Sequence, residues 1–358
     1  MKSIAIICSG LDDVRRGYET HALDLFNVLK KEPSHLMDVF LIKRSGVVSD
    51  NHIVTGTPGR NSWIVKKLSK LRGSPLYWES FFVALWTLLF IVVKKKKFET
   101  IYCQELIVCK VLRMFKNLSL VKSKIVFGHG VWMEPTDYVN SADVIHEVNI
   151  ENFNKSKHFK HDVILTPHFL LSSDIKRTNN HRNLLRDFYD FHAENIILSV
   201  GRIDFDHKRM DYLINEVARL DQSWGLIICG IGEQSILDKG NFLLGKRFLN
   251  LFLDRSNLEE IYSLADVFVL CSLNEGFGIV TIEAMSQGLP VILHDRELFR
   301  WILKDSRYCV DMSKDGNLSN FILNNNEDFV RTGKRNREIF LQNYSWCAVK
   351  TGYLNMLH

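Results

Sequence analysis

The sequence lacks the features that mark several unusual classes of protein. It has only 6 prolines among 358 residues, no low-complexity tract and no fixed-period repeat, so a proline-rich linker, a disordered chain and a solenoid are all disfavoured. The 7 cysteines are odd in number and scattered, without a Cys-x-x-Cys pair. They indicate free thiols in a reducing compartment, and they argue against a disulfide framework or a zinc site.

No apolar run is long enough to predict a helix that spans a membrane. The longest, residues 81–93, has 13 uncharged residues, which extend roughly 20 Å as a helix, whereas a bilayer core is about 30 Å thick. Four lysines, Lys94 to Lys97, follow it. Two interpretations stay open: a buried helix with a solvated lysine run, or contact of the lysines with an anionic membrane surface. The N-terminal apolar run has only six residues and predicts a first strand rather than a signal peptide.

The charge is unevenly distributed along the chain. The formal net charge is +5; residues 1–170 hold 24 Lys and Arg against 16 Asp and Glu, and residues 171–358 hold 22 against 25. The first half is therefore the part expected to meet anions or an anionic surface.

Short β-like runs alternate with helix-length segments twice along the chain, which predicts an α/β protein with two doubly wound parallel sheets. A polar, Ser- and Asn-rich segment at 172–183 is the predicted linker between them. We expect an N-terminal domain over 1–175, a C-terminal domain over 176–335, and a last helix over 336–358 that crosses back to the first domain. In such sheets ligands bind beyond the carboxyl ends of the strands.

One such strand end carries a distinctive motif, NEGFGIVTIEAMSQGLPVI, at residues 274–292. Gly276 and Gly278 allow the backbone to approach a ligand, and the following helix begins with amides that can bind an anion. Glu283 lies in that helix, where a carboxylate can accept hydrogen bonds from both hydroxyls of a ribose. Glu275 precedes the turn and is expected to address the other end of the ligand.

This pattern of two glutamates around Gly-Phe-Gly resembles the donor-binding signature of retaining glycosyltransferases of family 4, within the glycosyl transferases group 1. Other segments resemble that family in the same order: RRGYETHALDLF, LSVGRIDFDHKRMDYLI, LIICGIGE, DRSNLEEIYSLADVFVLCS and NYSWCAVKTGYLNML. The resemblance implies the GT-B fold, in which two Rossmann-like domains face each other across a cleft.

The resemblance also implies a role for individual residues. Arg202 and Lys208 hold the diphosphate of a nucleotide sugar, Glu283 holds the ribose, and Gly17 offers its amide to the β-phosphate from the other domain. Positive groups placed there stabilise the charge that grows on the departing diphosphate.

The sugar end of the donor is implied to meet a second set of residues. Glu275 contacts the sugar hydroxyls, and His129, after a strand of the N-terminal domain, lies near the donor sugar. The catalytic set implied is His129, Glu275, Arg202 and Lys208. The donor-binding set further includes Gly230, Gly276, Phe277 and Gly278.

Two departures and two misleading motifs accompany these matches. Arg16 and Arg209 stand where family members commonly have glycine. Arg16 is expected to narrow the loop over the phosphate, and both departures affect the expected fine shape of the site. Asp204 and Asp206 imitate an Asp-x-Asp metal ligand, but they lie between the two expected cations, so a polar loop is predicted and no metal is required. CGIGEQS resembles a dinucleotide fingerprint without its third glycine, and an NAD-linked oxidoreductase leaves the glutamate motif unexplained.

The sequence thus predicts a retaining, metal-independent glycosyltransferase without a cofactor, which moves a sugar from a nucleoside diphosphate sugar to an acceptor hydroxyl. The acceptor is expected to be a glycan or a lipid-linked glycan of envelope polysaccharide or glycolipid synthesis. The expected location is cytoplasmic, with peripheral contact to an anionic membrane, and no nucleic-acid partner is expected. A nucleotide-sugar epimerase of the same fold and a non-catalytic nucleotide-sugar-binding subunit are the alternatives.

Overall fold

The computed structural model describes residues 2–13, 17–33, 37–49, 51–131, 133–160, 162–171, 189, 191–252 and 255–358. The predicted linker at 172–183 and Arg16 lie outside these residues. The chain divides into two compact units, one formed by Met1–His168 with Val349–His358 and the other by Phe169–Ala348. The sequence placed the domain boundaries at 175/176 and 335/336.

The first unit contains a seven-stranded parallel sheet with the order β3-β2-β1-β4-β5-β6-β7. The order reverses between β1 and β4, as in a doubly wound sheet. The strands are β1 (Lys2–Cys8), β2 (Met37–Lys43), β3 (His52–Val54), β4 (Thr100–Cys103), β5 (Lys124–His129), β6 (Val144–Glu147) and β7 (Val163–Leu165).

Helices connect these strands and cover the sheet because parallel strands need crossover connections. Their bounds are Gly17–Lys30, Trp63–Leu71, Pro75–Val93, Leu106–Asn117, Pro135–Tyr138 and Ile150–Ser156. One apolar core joins the strands β1, β4, β5 and β6 to the helices Pro75–Val93 and Leu106–Asn117.

Helix Pro75–Val93 is longer than the uncharged segment at 81–93, because it begins at Pro75 and is capped by Ser74. By length and composition it is the one helix of the described chain that could cross a membrane. It also contains Glu79, which is fully buried and forms an ion pair with Arg60. One face of the helix therefore belongs to the folded unit.

The buried histidine of β6, His146, forms hydrogen bonds with β4 and with the segment that follows β7. His146 Nδ1 lies 3.1 Å from the Tyr102 hydroxyl, and its Nε2 lies 2.8 Å from the carbonyl oxygen of Thr166. A Cβ at Gly128 would lie 2.3 Å from that hydroxyl, so glycine is needed there. Burial lowers the pKa of His146 to about 4, and the ring is neutral at physiological pH.

The second unit contains a six-stranded parallel sheet with the order β10-β9-β8-β11-β12-β13. This is the 3-2-1-4-5-6 order of a Rossmann sheet, and it reverses between β8 and β11. The strands are β8 (Asn195–Val200), β9 (Trp224–Cys229), β10 (Phe248–Leu251), β11 (Val267–Leu270), β12 (Val291–His294) and β13 (Cys309–Val310). The predicted α/β class with two doubly wound sheets is confirmed.

The helices of the second unit follow the same alternation. Their bounds are Met210–Ala218, Gln234–Leu244, Arg255–Leu264, Ile279–Ser286, Glu297–Leu303, Asn317–Asn325, Phe329–Asn343 and Trp346–Leu357, the last of which continues into the first unit. Short 3-10 turns lie at Gly245–Arg247 and Asn326–Asp328.

The predicted single helix over 336–358 is in fact two helices. Leu170 forms a parallel bridge with Ser345. The Leu170 amide donates to the carbonyl of Tyr344, and the Leu170 carbonyl accepts from the amide of Trp346. The backbone must leave the helix to make these bonds. The break between Asn343 and Trp346 follows from them.

Candidate functional site

The carboxyl ends of β8 and β11 mark the point in the second unit where the strand order reverses, and open α/β sheets bind ligands at such points. The loop after β8 carries Arg202 and Lys208. The loop after β11 carries Glu275 and the Gly-Phe-Gly turn. Residues predicted from two separate sequence motifs therefore meet at the same edge of one sheet.

Lys208 and Glu275 form an ion pair across these two loops. The exposed fraction of the side chain is 12% for Lys208 and 7% for Glu275, so the pair is largely removed from water. His207 Nε2 lies 3.6 Å from the other carboxylate oxygen of Glu275. The arrangement places the Lys208 ammonium and the His207 ring around one carboxylate at the sheet edge.

The aspartates that imitate a metal motif have different positions. Asp204 accepts hydrogen bonds at its Oδ1 from the amides of His207, at 2.9 Å, and Lys208, at 2.6 Å. Asp204 therefore caps the turn that places Lys208. Asp206 is exposed, as is Arg202.

Arg209 occupies the position where the sequence resemblance expects glycine. Its φ is +52° and its ψ is +46°, in the left-handed region that glycine enters without a steric penalty. The arginine offsets this conformation with its side chain, which donates to the Met312 carbonyl at 2.7 Å and lies 4.5 Å from the centre of the Tyr212 ring. The departure thus preserves the backbone shape that a glycine would give.

The glycine loop after β9 is packed against the loop after β8. A Cβ at Gly230 would lie 1.8 Å from the carbonyl oxygen of Gly201, and one at Gly232 would lie 1.9 Å from that of Ile203. The Gly230 amide donates to the Leu251 carbonyl at 2.8 Å. The predicted donor-binding residue Gly230 therefore has a clear packing role.

The glutamate motif folds as a tight turn followed by a helix. Phe277 is buried, and Gly278, with φ at +81°, is the N-cap of helix Ile279–Ser286. The carbonyl of Gly278 accepts from the Thr281 amide at 2.8 Å. Gly276 lies between Glu275 and this turn. The backbone conformation of Gly278 is left-handed, and glycine adopts it more readily than other residues do. Gly278 therefore sets the direction of the helix.

Glu283 lies inside that helix and accepts a hydrogen bond from the Tyr262 hydroxyl at 2.9 Å. The structure therefore brings Lys208 to Glu275, whereas it places Glu283 against Tyr262. Arg296 was missed by the sequence interpretation. It donates to the Leu273 carbonyl at 3.0 Å and to the Asn274 side chain, and it thereby holds the loop that leads to Glu275.

The two predicted residues of the first unit have contrasting environments. Gly17 is exposed and begins helix Gly17–Lys30. His129 is fully buried at the end of β5, and its Nδ1 lies 2.8 Å from Glu147 Oε2. Glu147 was also missed, because only the strand register of the structure places it, at the end of β6, opposite His129.

The edge of the first sheet also holds buried carboxylates at its reversal point. Glu105, after β4, accepts from the Ser9 amide at 3.1 Å and from the Ser9 hydroxyl. Glu79 lies beside them and binds Arg60. Burial raises the pKa of Glu105 to about 7, against the opposing effect of its hydrogen bonds from Ser9.

One known family matches a large part of the second unit. Residues 182–337 match the family described as glycosyl transferases group 1. The match covers less than half of the chain, and it lies within the second unit. The matched region contains every residue of the second unit predicted above to bind the donor.

Curated relatives match over part of their length. An uncharacterized glycosyltransferase of Methanocaldococcus jannaschii is 37% identical over 106 residues, which are 28% of this chain and 27% of that protein. A phosphatidyl-myo-inositol mannosyltransferase of Mycobacterium leprae is 32% identical over 115 residues, 30% of each chain. The chain thus matches less than a third of the length of each of these two relatives.

Solved structures match over almost the whole chain. Sucrose-phosphate synthase from Thermosynechococcus elongatus superimposes with a TM-score of 0.78 at 18% identity, covering 99% of this chain and 98% of that one. Anabaena HepE in complex with UDP and glucose superimposes with a TM-score of 0.77 at 13% identity, covering 100% and 99%. These likenesses show the fold, and the predicted GT-B class is confirmed.

Proposed function

We propose that the protein is a retaining glycosyltransferase that moves a sugar from a nucleoside diphosphate sugar to an acceptor hydroxyl. The observation that carries the proposal is the Lys208–Glu275 pair, which lies at the reversal point of a sheet within the glycosyl transferases group 1 region. The M. leprae relative is a mannosyltransferase, and HepE was solved with UDP and glucose. The first supports sugar transfer, and the second supports a nucleotide-sugar donor.

The chemistry places specific demands on the second unit. Cleavage of the donor's glycosidic bond leaves negative charge on the diphosphate, and Arg202 and Lys208 are the cations proposed to stabilise that charge. Positive charges held beside the departing diphosphate stabilise the transition state more than the ground state. Asp204 supports this role because it holds the turn that ends at Lys208. Because two cations are available, the reaction is proposed to need no metal. Glu283 is proposed to bind the ribose.

A thermal-shift screen tests the donor site. The purified protein is heated with UDP, GDP, ADP, TDP and CMP, their common sugars, and NAD, each with and without a chelator. A ligand that binds only the native state raises Tm by mass action, by an amount equivalent to about 2.7 kcal/mol at 100 times Kd. We expect one nucleoside diphosphate and its sugar to raise Tm regardless of chelator, and Glu283→Ala to abolish the shift.

Glu338→Ala is the matched control, since Glu338 is an exposed glutamate on helix Phe329–Asn343 and its removal should leave the shift unchanged. A shift produced by NAD alone, or a Glu283→Ala variant that responds as the wild type does, would contradict the proposed donor site. Conversion of the donor sugar to its epimer without an added acceptor would indicate epimerisation instead of transfer.

The proposed acceptor is lipid-linked, presented at the cytoplasmic face of an anionic membrane. Helix Trp63–Leu71 supports this, since Trp63 and Leu71 are 72% and 79% exposed and lysines 66, 67 and 70 are exposed beside them. Exposed apolar side chains among lysines favour a monotopic contact with anionic lipid. The neighbouring helix Pro75–Val93 exposes Leu89, Val92 and Val93 before its own lysines.

Vesicle flotation tests this contact. We expect the protein to float with vesicles of which about a third of the lipid is phosphatidylglycerol and to stay below vesicles of phosphatidylcholine alone, because each basic residue near an anionic surface contributes about 1 kcal/mol. The double variant Trp63→Ser/Leu71→Ser should float several-fold less. Phe242→Ser removes an apolar side chain of the second unit that is 87% exposed, and it serves as control. Equal recovery with both lipid compositions would contradict anionic contact.

A further inference from the structure

Helix Pro75–Val93 has two faces of opposite character. Its buried residues recur three and four positions apart and form one stripe, which we name the inner face: Glu79, Ser80, Val83, Ala84, Thr87 and Leu88. The opposite stripe, which we name the outward face, is half-buried or exposed and carries no charge: Trp78, Phe82, Leu85, Trp86, Leu89 and Val93. A surface helix of a soluble protein usually carries polar side chains on this side. The apolar outward face therefore indicates a partner.

The inner face fixes the helix to the first unit. Glu79 is fully buried and pairs with Arg60, whose amide donates to it at 2.7 Å. Val83 and Ala84 belong to the apolar core that joins the helix to β1, β4 and β5. A helix that crossed a bilayer would have to place the Glu79 carboxylate in lipid or break this core, and both are costly. The helix therefore stays on the unit, and its outward face is the side that a partner can reach.

Aromatic rings run along the outward face. The ring of Trp78 lies 6.3 Å from that of Phe82, centre to centre, and the ring of Trp86 is stacked 5.2 Å from that of Phe90. Towards the end of the helix, Leu89 and Val93 are 54% and 70% exposed. Contiguous exposed apolar surface marks a site of interaction with a membrane or a protein. Tryptophan is enriched at membrane interfaces because its ring is apolar and its N–H is polar.

Charge at the two ends of the helix favours an anionic membrane as the partner. Lys94, Lys95 and Lys97 are exposed after the helix, and lysines 66, 67 and 70 are exposed on helix Trp63–Leu71, which precedes it. The one acidic residue of helix Pro75–Val93, Glu79, lies on the inner face. An uncharged face between two groups of lysines suits anionic headgroups above acyl chains. The same face of a second copy of the chain would offer these lysines no acidic partner.

We propose that helix Pro75–Val93 lies in the plane of an anionic membrane surface, with its outward face among the headgroups and its inner face on the sheet. Its 19 residues extend roughly 28 Å, so the contact continues well beyond helix Trp63–Leu71. The inference rests on the proposed membrane contact and deepens it, because it fixes the orientation of the first unit. The axis of this helix is parallel to the bilayer.

The depth of probes along the helix tests this orientation. Phe82→Cys, Leu89→Cys and Val93→Cys are each labelled with nitrobenzoxadiazole in a Cys309→Ser/Cys347→Ser background, since these two native cysteines are not buried. The vesicles contain about a third phosphatidylglycerol and carry nitroxide quenchers at either of two acyl-chain depths. We expect the fluorescence to rise several-fold at all three positions and the quenching to place all three probes about 5–10 Å into the interface.

Other arrangements give different results. A helix that spans the bilayer would separate the probes at positions 82 and 93 by roughly 16 Å in depth, which overturns the proposal. A protein that floats with the vesicles while all three probes stay unchanged also overturns it, and leaves contact through helix Trp63–Leu71 intact. No flotation at all contradicts the proposed membrane contact and this inference together. Phe242→Cys carries the label on the second unit and should not respond.

Substitution of the outward face gives a second measurement that needs no label. Leu89→Asp/Val93→Asp places two carboxylates before the lysines and should lower flotation with anionic vesicles several-fold, whereas Phe242→Asp should float as the wild type does. The substituted side chains are exposed, so Tm should stay close to the wild-type value. Analytical ultracentrifugation without lipid tests a second copy as the partner. We expect a monomer, and a dimer that Leu89→Asp/Val93→Asp dissociates would overturn the proposal.

Discussion

Replacing Lys208 with methionine is expected to lower kcat/KM for sugar transfer roughly 100- to 1,000-fold, because a fixed cation at the departing diphosphate contributes mainly to the transition state. Methionine retains most of the apolar stem and removes only the charge. The measurement is the initial rate of nucleoside diphosphate release with the nucleotide sugar identified by thermal shift. Lys334→Met, on the exposed side of helix Phe329–Asn343, should retain the wild-type rate.

The buried partner of Lys208 makes a second variant necessary. Lys208→Met removes the cation that pairs with the Glu275 carboxylate, which is 7% exposed, so Tm should fall. Lys208→Met/Glu275→Gln removes the carboxylate charge as well and should recover much of that Tm. If the pair were purely structural, activity would recover along with Tm. We expect activity to stay low in the double variant, and its recovery would contradict the role of Lys208 in transfer.

The positions of these residues could be predicted, but their pairing could not. Lys208 and Glu275 each follow an apolar strand, and the sequence motifs place both at strand ends. Which strands are neighbours depends on the reversal of order between β8 and β11, which is set by packing of the whole unit. Arg209 shows a related limit, since its left-handed conformation depends on contacts with Met312 and Tyr212 that lie elsewhere in the unit.

Short and irregular elements were the ones that the sequence did not reveal. Strands β3 and β13 have three and two residues, too few to show alternation, and both lie at sheet edges. The helix break before Trp346 depends on a bridge to Leu170, more than 170 positions away in the chain. Glu147 was overlooked for the same reason: its importance comes from register with β5, which local pattern does not contain.

Replacing Gly230 with alanine is expected to destabilise the second unit by more than about 3 kcal/mol and to lower Tm by about 10 °C. The new Cβ would lie 1.8 Å from the carbonyl oxygen of Gly201, a backbone atom that cannot rotate away. The backbone at Gly230 is fixed in turn by its amide, which donates to Leu251 at 2.8 Å. Thermal unfolding followed by circular dichroism measures the loss.

Gly130→Ala is the matched control because the nearest atoms to its new Cβ lie 3.6 Å away. We expect its Tm to stay within about 2 °C of the wild type. A Gly230→Ala variant as stable as this control would contradict the close approach of the two loops.

The outcome also decides what the glycine loop is for. The segment CGIG resembles a dinucleotide fingerprint, yet Gly230 and Gly232 each face a carbonyl of the loop after β8. Close packing between these loops fixes the start of the segment that carries Arg202 and Lys208. A strong loss of stability in Gly230→Ala, with no response of the wild type to NAD, would assign the glycines to the packing of the loop after β8. The resemblance to a dinucleotide site would then have a structural cause, namely that two neighbouring strand ends must come within contact distance of each other.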